Sequence, residues 1–308
     1  MKVYERLEDF DTLPTAVVTT GTFDGVHIGH KKIISRLQAI AQACKGESVI
    51  LTFHPHPRLV LFPDDNELRL LNTQEEKIDL LRKIGIQHLV IIPFNKEFSR
   101  ISSLEFVRSI LVKQIGAKKL VIGHDHHFGR NREGSFEHLK EFGPLYGFDV
   151  EEIPVQDIDS VAVSSSKIRQ ALSEGNILAA NEYLGYPYSI SGTVAQGKQR
   201  GRTIHFPTAN IQLEESRKLI PAIGVYAVLV SVIGKEFKGM MNIGNRPTVG
   251  GGALTLEVHI FDFDSAIYNE KISVQFIARI RNEQKFEHLE ALKAQLNIDK
   301  KNVLEILK

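Results

Sequence analysis

The sequence predicts an α/β domain followed by a β domain: a doubly wound parallel sheet first, then a small antiparallel barrel. Short apolar runs alternate with helical patterns up to about residue 160, and after about residue 188 strand patterns follow one another without helices between them. A chain of 308 residues is also long enough for about two domains. We therefore expect domains at 1–186 and 187–308, divided in the Leu-Gly-Tyr-Pro-Tyr run at 184–188.

The first half alternates strand and helix. Its apolar strand patterns cover residues 16–18, 49–53, 89–92 and 119–123, and its helical patterns cover residues 33–41, 75–83 and 104–114. Strands that alternate with helices form a parallel sheet with right-handed crossovers, and such sheets bind ligands beyond the carboxyl ends of their strands. The residues that follow the strands, at 21–30, 52–57 and 123–125, are therefore the candidates for a site.

The run Gly-Thr-Phe-Asp-Gly-Val-His-Ile-Gly-His at 21–30, called the histidine turn below, joins the first strand to a helix. Gly25 and Gly29 allow close backbone approach to a ligand, and the helix start offers unpaired N–H groups to phosphate. His27 and His30 are three residues apart and share one helix face. This arrangement suits attack on a nucleoside triphosphate, where charge develops on phosphoryl oxygens. The alternative is an ordinary glycine turn with both histidines on a surface helix.

Two other polar segments follow in the first half. The histidines at 54, 56, 124, 126 and 127 invite a metal site, but side chains alternate in an extended segment, so the cluster with Asp125 cannot converge on one ion. The run Ser-Ser-Ser-Lys-Ile-Arg at 164–169 precedes a helix, where hydroxyls cap N–H groups. Hydroxyls together with Lys167 and Arg169 would also hold a triphosphate.

The second half predicts a small antiparallel barrel closed by helices. The strand patterns cover residues 190–194, 224–230, 240–243, 254–261 and 271–280, and the helical regions cover 286–296 and 303–307. Thr208 and Asn210 are two apart, so on a strand both oxygens face one side and could support Mg²⁺ with ATP phosphates. Glu257, aimed into a barrel mouth, could take the proton of an alcohol that attacks ATP. The alternative for Thr208 and Asn210 is a plain strand whose hydroxyl and amide are satisfied by backbone, and the alternative for Glu257 is a solvated strand glutamate.

The histidine turn resembles the motif of the HxGH nucleotidyltransferases, in the form found in prokaryotic bifunctional FAD synthetases. The run at 164–169 is similar to the Ser-Ser-Thr-x-Ile-Arg motif of that family, with Ser166 where threonine is usual. The resemblance implies FMN adenylyltransfer in the first domain. It implies nucleotide contacts from Gly21, Phe23, Asp24, Gly29, Ser164, Ser165 and Arg169, with His27 and His30 catalytic. It also implies flavin contacts from His56, Asp125, Phe128 and Asn131, although His126 and His127 replace the usual phenylalanine and arginine.

The second half resembles the riboflavin kinase part of the same family. Gly-Arg at 201–202 with Phe-Pro-Thr-Ala-Asn at 206–210, the strand around Glu257, and the Arg-rich run at 279–286 all match family motifs. Ile204-His205 and Asn269 depart from the usual Leu-Gly and Gly. The resemblance implies that Glu257 is the kinase base. It further implies that Gly197 and Arg202 bind nucleotide, Thr208 and Asn210 bind Mg²⁺, and Arg281 lies near the flavin.

Bulk composition limits the classes of partner. A net charge of +1 gives no overall electrostatic case for nucleic acid or membrane binding, and a single cysteine fits a reducing compartment. No signal peptide opens the chain, so we expect a cytoplasmic enzyme whose partners are riboflavin, FMN and ATP. Two alternatives remain: a non-catalytic flavin-binding protein, and an adenylyltransferase for nicotinamide mononucleotide or pantetheine phosphate. The sequence leaves the oligomeric state open.

Overall fold

The structure, a computed structural model, describes residues 1–65, 67–123, 127–153, 163–196, 205–245 and 254–308. The chain forms two compact units, Met1–Ser165 and Ser166–Lys308. The division between the units lies before the boundary expected at residues 186 and 187. None of the helices in the described part of the chain has the length and apolar composition that a membrane crossing needs.

A parallel sheet forms the centre of the first unit. Its described strands are β1 Lys2–Tyr4, β2 Ala16–Thr20, β3 Glu47–His54, β4 His88–Pro93, β5 Ala117–Gly123 and β6 Asp149–Ile153. They lie in the order β1-β4-β3-β2-β5-β6, and every pair is parallel. Successive strands from β2 to β4 step one way across the sheet, whereas β5 and β6 lie on the other side of β2. The order therefore changes direction between β2 and β5.

Both faces of this sheet are covered. Val17 packs in one apolar cluster with Ile34 and Leu37, whereas its neighbour Val18 packs in the opposite cluster with Phe106. Burial on both faces explains why the strands read as continuous apolar runs. The helices of this unit are α1 Ile28–Ala43, α2 Pro57–Leu61, α3 Gln74–Ile84, α4 Ser103–Glu105 and α5 Phe136–Tyr146, with α4 continuing as a wider π-helical segment Phe106–Gln114.

A closed antiparallel barrel forms the second unit. Its described strands are β7 Ser189–Ala195, β8 Ala209–Gln212, β9 Gly224–Val232, β10 Lys235–Asn245, β11 Leu254–Ile260 and β12 Lys271–Arg281, and around the barrel they follow the order β10-β11-β8-β7-β12-β9. Tyr226, Val228 and Val230 on one face of β9 are fully buried. Ala227, on the other face, packs with Val303 and Leu307 of the C-terminal helix. These contacts confirm the predicted barrel and its helical cover.

In the described part of this half, three helices accompany the barrel strands: α6 Ser165–Ser173, which begins at the division between the units, α7 Ile177–Leu184 and α8 Leu289–Ile306. The sequence pattern predicts a closing helical region around 286–296 and 303–307, and α8 confirms it as one continuous helix. The polar stretch between them is helical because Asp299 within it is fully buried and pairs with Arg281 of β12. Because a residue of a buried ion pair is charged, it interrupts the apolar periodicity of its helix, and the sequence pattern shows a gap at this stretch.

Candidate active sites

The histidine turn lies where the strand order of the first sheet changes direction. It leaves the carboxyl end of β2 and enters α1, whose first helical residue is Ile28. β2 pairs with β3 on one side and with β5 on the other. In open α/β sheets the crevice at such a point is the usual ligand site, because the loops on either side diverge there. The turn therefore occupies the place at which this fold binds nucleotides.

Three residues of the turn have left-handed backbone: Phe23 with φ 48°, Gly25 with φ 88° and Val26 with φ 35°. Glycine adopts this conformation readily, but it is uncommon for a bulky residue and an outlier for a β-branched one. Phe23 and Val26 are both buried in the cluster that also contains Ile34 of α1. Their packing holds the strained turn in one conformation, as is common at functional sites.

The two histidine rings stack on each other. Their centroids are 3.7 Å apart with an angle of 18° between the planes, and the ring of Phe23 lies 5.1 Å from His30 on a tilted plane. His27 is the N-cap of α1, because its Nδ1 accepts a hydrogen bond from the backbone N–H of His30 at 3.3 Å. An accepting Nδ1 places the proton of the neutral ring on Nε2. His27 therefore presents Nε2–H as a hydrogen-bond donor.

His30 is held in its neutral form. Burial lowers the pKa of His30 well below its ordinary value, and the electrostatic interactions of its protonated form with His27 and Lys77 act in the same direction. Its Nδ1 is buried and has no hydrogen-bond partner in the described part of the chain. A buried ring nitrogen without a partner is costly unless a ligand completes it. The ring pair is thus suited to a ligand that brings negative charge and oxygen acceptors.

Hydrogen bonds from three segments fix the turn. Oδ1 of the buried Asp24 accepts from the backbone N–H groups of Leu71 at 2.9 Å and Asn72 at 3.3 Å. The Ser165 hydroxyl donates to the carbonyl oxygen of Asp24 at 2.9 Å, and Lys77 Nζ donates to that of Thr22 at 2.9 Å. Asp24 and Ser165, both expected at the nucleotide, thus brace the backbone of the turn in this structure.

The other expected nucleotide residues occupy varied positions. Gly21 directly follows β2, and a Cβ there would lie 3.3 Å from the ring of Phe23, while Gly29 is buried in the first turn of α1. Ser164 is exposed just before α6, and Arg169 lies half-buried within α6 in the second unit. Gly197 and Arg202 lie outside the residues that the structure describes.

The residues expected at the flavin of the first unit are placed as follows. His56 caps α2, where its Nδ1 accepts from the backbone N–H of Arg58 at 3.2 Å. Phe128 is buried in the apolar cluster of one sheet face, with its ring 5.7 Å from that of Phe106. Asn131 is exposed in a left-handed conformation, with φ 54°. Asp125 lies outside the described residues. Of the three described side chains, Phe128 lies in the core of the unit.

An oxygen-rich cluster lies on the barrel. Glu257 of β11 is the ladder partner of Asn210 on one side and of Asn242 of β10 on the other. The Thr208 hydroxyl donates to Glu257 Oε2 at 3.4 Å. All four are at least partly exposed. The structure therefore brings Glu257 together with Thr208 and Asn210, which lie 49 and 47 residues before it in the sequence. It also adds the amide of Asn242, which no sequence motif indicated.

Glu257 lies on the outer face of the barrel rather than towards its interior. It alternates with Val258, which is fully buried, and shares its face with His259 and Phe261. Phe261 packs with Val303 of α8. The sequence pattern suggests a carboxylate aimed into a barrel mouth, whereas the strand alternation places Glu257 on the outer face of the barrel, on which α8 also packs.

His259 holds the loop that carries Thr208. Its Nδ1–H donates to the carbonyl oxygen of Pro207 at 2.7 Å, and its ring packs edge-on against Phe206 at 5.1 Å. Burial lowers the pKa of His259, although the bond to Pro207 opposes this shift, and the charge of Lys300 adds to it. A neutral His259 with its proton on Nδ1 keeps Pro207, and with it Thr208, beside β11.

Arg281, expected near the flavin, is engaged by protein groups. Its Nε lies 3.0 Å from Asp299 Oδ1, its Nη2 lies 2.8 Å from Oδ2, and its Nη1 donates to the carbonyl oxygen of Asn282 at 2.9 Å. Gln295 also donates to Asp299, at 2.9 Å. The guanidinium thus joins β12 to α8, and its ring contact is with Phe286, at 5.8 Å from the centroid.

Lys77, Asn242 and Glu283 approach these sites without having been identified from the sequence. Lys77 and Leu81 are four residues apart on the buried face of α3. A lysine on an apolar helix face is the feature of the sequence that could have pointed to Lys77. A Cβ at Gly244 would collide with the carboxylate of Glu283 and would lie 3.0 Å from Asn242 Nδ2, so a second carboxylate lies close to the cluster. No spacing in the sequence relates Glu283 to β10.

Comparison with known proteins agrees with both units. The family model described as FAD synthetase matches residues 10–167, and the model described as riboflavin kinase matches residues 184–307. The bifunctional riboflavin kinase/FMN adenylyltransferase of Escherichia coli is 38% identical over 302 residues, which are 97% of this chain and 96% of that protein. The protein of the same name from Listeria monocytogenes is 38% identical over 93% of this chain and 90% of its own length.

A solved structure has the same fold over nearly the whole chain. It is a Streptococcus pneumoniae protein described as a macrolide-efflux protein, with a TM-score of 0.87, 33% identity and 97% coverage of each chain. The two family models together span both units, and the relatives match along almost their full length. The chain therefore belongs to the bifunctional riboflavin kinase/FMN adenylyltransferases, which phosphorylate riboflavin with ATP to FMN and then adenylylate FMN with ATP to FAD.

Proposed function

We propose that the histidine turn carries out the adenylyl transfer and that the cluster around Glu257 carries out the phosphorylation of riboflavin. The observation that supports this assignment is the separation of two different chemistries. Stacked imidazoles at a helix N-terminus lie in one unit, and a carboxylate with hydroxyl and amide oxygens lies in the other. The first arrangement favours stabilising phosphoryl charge, and the second favours accepting a proton.

In the adenylyl transfer, a phosphate oxygen of FMN attacks the α-phosphorus of ATP, and the bond to pyrophosphate breaks. Charge grows on the phosphoryl oxygens, where Nε2–H of His27, the ring of His30 and the N-terminus of α1 would stabilise it. Asp24 and Ser165 serve this step by fixing the turn. We retain Gly21, Phe23, Gly29, Ser164 and Arg169 as proposed nucleotide residues.

The flavin assignments in the first unit are also proposals. The exposed Asn131 and the partly exposed His56 would contact the flavin with their side chains, and Asp125 completes the proposed set. Phe128 would act by shaping the wall of the pocket, because its ring packs with Phe106. The flavin would then lie beyond the carboxyl ends of β3 and β5, on the same edge of the sheet as the histidine turn.

In the kinase step, Glu257 takes the proton of the terminal ribityl hydroxyl as its oxygen attacks the γ-phosphorus of ATP, and ADP leaves. The hydrogen bond from Thr208 orients one carboxylate oxygen, which leaves the other for the substrate hydroxyl. Gly197 and Arg202 are the proposed nucleotide residues of this site. Arg281 would act on the flavin side through the loop that follows β12, since its guanidinium pairs with Asp299.

The cluster fits Mg²⁺ as well. Thr208, Asn210 and Glu257 offer hydroxyl, amide and carboxylate oxygens, the hard ligands that Mg²⁺ prefers, and phosphates and waters usually supply the rest of its octahedron. We propose that Thr208 and Asn210 hold the ion. When bound, it would neutralise charge on the β- and γ-phosphates of ATP.

The test is a double dissociation in the full-length enzyme. Purified protein is incubated with Mg-ATP and either riboflavin or FMN, and FMN and FAD are separated by chromatography. We expect His30→Ala to accumulate FMN from riboflavin but to lose FAD formation by about 10²–10³, the effect of removing one such donor. Glu257→Gln should show the reverse: little riboflavin consumed, but normal FAD from supplied FMN.

The crossed design separates site effects from general damage. A variant that lost both steps equally would point to misfolding or to one shared site, and would contradict the assignment. Glu236→Gln, an exposed glutamate of β10 in the same barrel, serves as the matched control for Glu257→Gln and should leave both steps unchanged.

A further inference from the structure

A buried lysine reaches the histidine turn from a neighbouring helix. Lys77 of α3 is 6% exposed, and its Nζ donates to the carbonyl oxygen of Thr22 at 2.9 Å. Burial of an ammonium group costs free energy unless other groups compensate it. A buried lysine therefore indicates a specific role for its charge or for its hydrogen bonds. Thr22 directly precedes the left-handed residues of the turn. The bond therefore holds the turn at its entry.

The segment that carries Lys77 is itself fixed. Thr73 and Glu76 form a capping box at the start of α3, in which Glu76 N–H donates to Thr73 Oγ1 at 3.2 Å and Thr73 N–H donates to Glu76 Oε2 at 3.0 Å. Just before this box, the backbone of Leu71 and Asn72 donates to Asp24. Two sets of hydrogen bonds therefore link the start of α3 to the histidine turn: those to Asp24 and that of Lys77 to Thr22. They fix the helix turn from which the Lys77 side chain extends.

The charge of Lys77 also acts on the histidine pair. Among the described residues, the groups that act electrostatically on His30 are His27 of the same helix start and Lys77 from α3. A cation in a dry site interacts strongly with nearby charge, because little water screens it. The same position would favour phosphoryl oxygens that approach the histidine rings, without any motion of the lysine during the reaction.

We propose that Lys77 is a positioning residue of the adenylyl transfer, which fixes the histidine turn through Thr22 and contributes positive charge to the field around the turn. This inference rests on the proposed role of His30 and adds a residue to that site. Lys77 acts through the turn and its field, and no contact with substrate is needed for either effect.

The experiment compares full-length Lys77→Met, Lys77→Gln and Lys77→Arg with Lys83→Met, an exposed lysine of the same helix. We expect Lys77→Met to lower kcat/KM for FAD formation from FMN by about 10², the effect of a small misplacement of reacting groups. FMN formation from riboflavin should stay unchanged, as should both activities of Lys83→Met. Lys77→Arg should recover much of the lost rate, since it restores charge and donor.

A second readout distinguishes the proposal from a merely structural role. In histidine-labelled protein followed by NMR, the pKa of His30 should rise in Lys77→Met and Lys77→Gln, because the neighbouring cation is gone, and it should stay low in Lys77→Arg. If Lys77→Met does not fold, Lys77→Gln gives the same two measurements. An unchanged His30 titration, or FAD formation within about threefold of wild type in the neutral variants, would overturn the inference. If His30→Ala keeps full FAD formation, the proposed role of the histidine turn is wrong, independently of the result for Lys77.

Discussion

Glu257 is the residue on which the assignment of the kinase step depends most directly. Its carboxylate is partly exposed on an outer strand face, with the Thr208 hydroxyl on one oxygen and amides on both neighbouring strands. An alcohol is a poor nucleophile near neutral pH, and a positioned base typically contributes about 10²–10⁴ in rate. The position of Glu257 therefore predicts a defect in turnover rather than in binding when the carboxylate is replaced.

We expect Glu257→Gln to lower single-turnover FMN formation at saturating Mg-ATP by about 10²–10⁴. The affinity for riboflavin, measured by flavin fluorescence, should change little, because glutamine keeps the shape and can still accept a hydrogen bond. Glu236→Gln provides the reference for an exposed glutamate on the adjacent strand. Wild-type turnover in Glu257→Gln would remove Glu257 from the mechanism.

His30 predicts a dependence of stability on pH. Its folded-state pKa is lowered by burial and by His27 and Lys77, so below about pH 6.5 the unfolded chain binds a proton that the folded chain does not. The unfolded state then binds more protons, and stability falls as pH falls. The contribution is at most about 1.4 kcal/mol per pH unit, the value for one proton.

We expect the free energy of unfolding of wild type to fall more steeply between pH 7 and pH 5.5 than that of His30→Gln, which has no ring to protonate. Urea titrations followed by circular dichroism at several pH values measure the difference between the two proteins. His138→Gln, which removes an exposed histidine of α5, should keep the wild-type slope. Equal slopes in wild type and His30→Gln would show that His30 titrates normally in the folded protein.

At the residue scale, local spacing predicted some contacts and not others. The spacing of three residues at a helix start predicted that His27 and His30 share one face, and in the structure their rings stack. Strand alternation predicts that Thr208 and Asn210 face one side, and in the structure each is a neighbour of Glu257. The role of Glu257 at the same site was predicted from the family resemblance and not from spacing. Lys77 could not be found in this way, because its partner Thr22 is 55 residues away and the contact depends on how α3 packs on the sheet.

The C-terminal helix shows what a single polar pair does at the scale of an element. α8 covers the outer barrel face with Val303 and Leu307, but its middle is polar and is tied to β12 by the ion pair of Asp299 with Arg281. The Asp299 side chain is 0% exposed, whereas that of Arg281 is 16% exposed. Removal of one partner of such a pair leaves a charge without compensation, which costs about 3–5 kcal/mol.

We expect Asp299→Asn to destabilise the second unit by roughly 3 kcal/mol, the low end of that range, because Arg281 keeps some contact with water. Thermal unfolding measures this loss. Glu290→Gln, at an exposed position of the same helix, should be neutral. If Asp299→Asn unfolds at the wild-type temperature, the pair does not hold α8. FMN formation by Asp299→Asn well below its unfolding temperature then reports whether Arg281 also needs this partner for activity.

Elements were predictable where one periodicity dominated. The central strands β2 to β5 are apolar on both faces and were identified by sequence alone, whereas β1 and β6 are partly exposed edge strands with mixed composition and were missed. The helix expected at 104–114 is present, but it is wider than an α-helix: the Ile115 N–H bonds to Ile110, five residues back. Apolar spacing does not separate the two helix types.

The boundary between the two halves of the chain lies at one residue in the sequence pattern and at another in the contacts of the structure. The sequence suggests a boundary after residue 186, where the helical pattern ends, whereas the chain divides into its two compact units between Ser165 and Ser166. The helices between these points contact the barrel: Leu172 accepts from Ala222 N–H at 3.0 Å, and Asn181 bonds Phe276 and Tyr188 at 2.8 and 2.7 Å. The composition of a linker can be recognised in the sequence. The tertiary contacts that assign a helix to one unit or the other cannot.

Two fragments, 187–308 and 166–308, test this division. We expect both to make FMN from riboflavin and neither to make FAD, because the histidine turn is absent from both. The shorter one should unfold more than about 10 °C lower, since it loses two hydrogen bonds of Asn181, worth roughly 1 kcal/mol each, and the burial of Ile177 and Leu184. Activity assays with each flavin and thermal melts of both fragments measure these outcomes. A soluble, folded 166–308 that makes no FMN, while the full chain does, would show that phosphorylation of riboflavin needs the first unit as well.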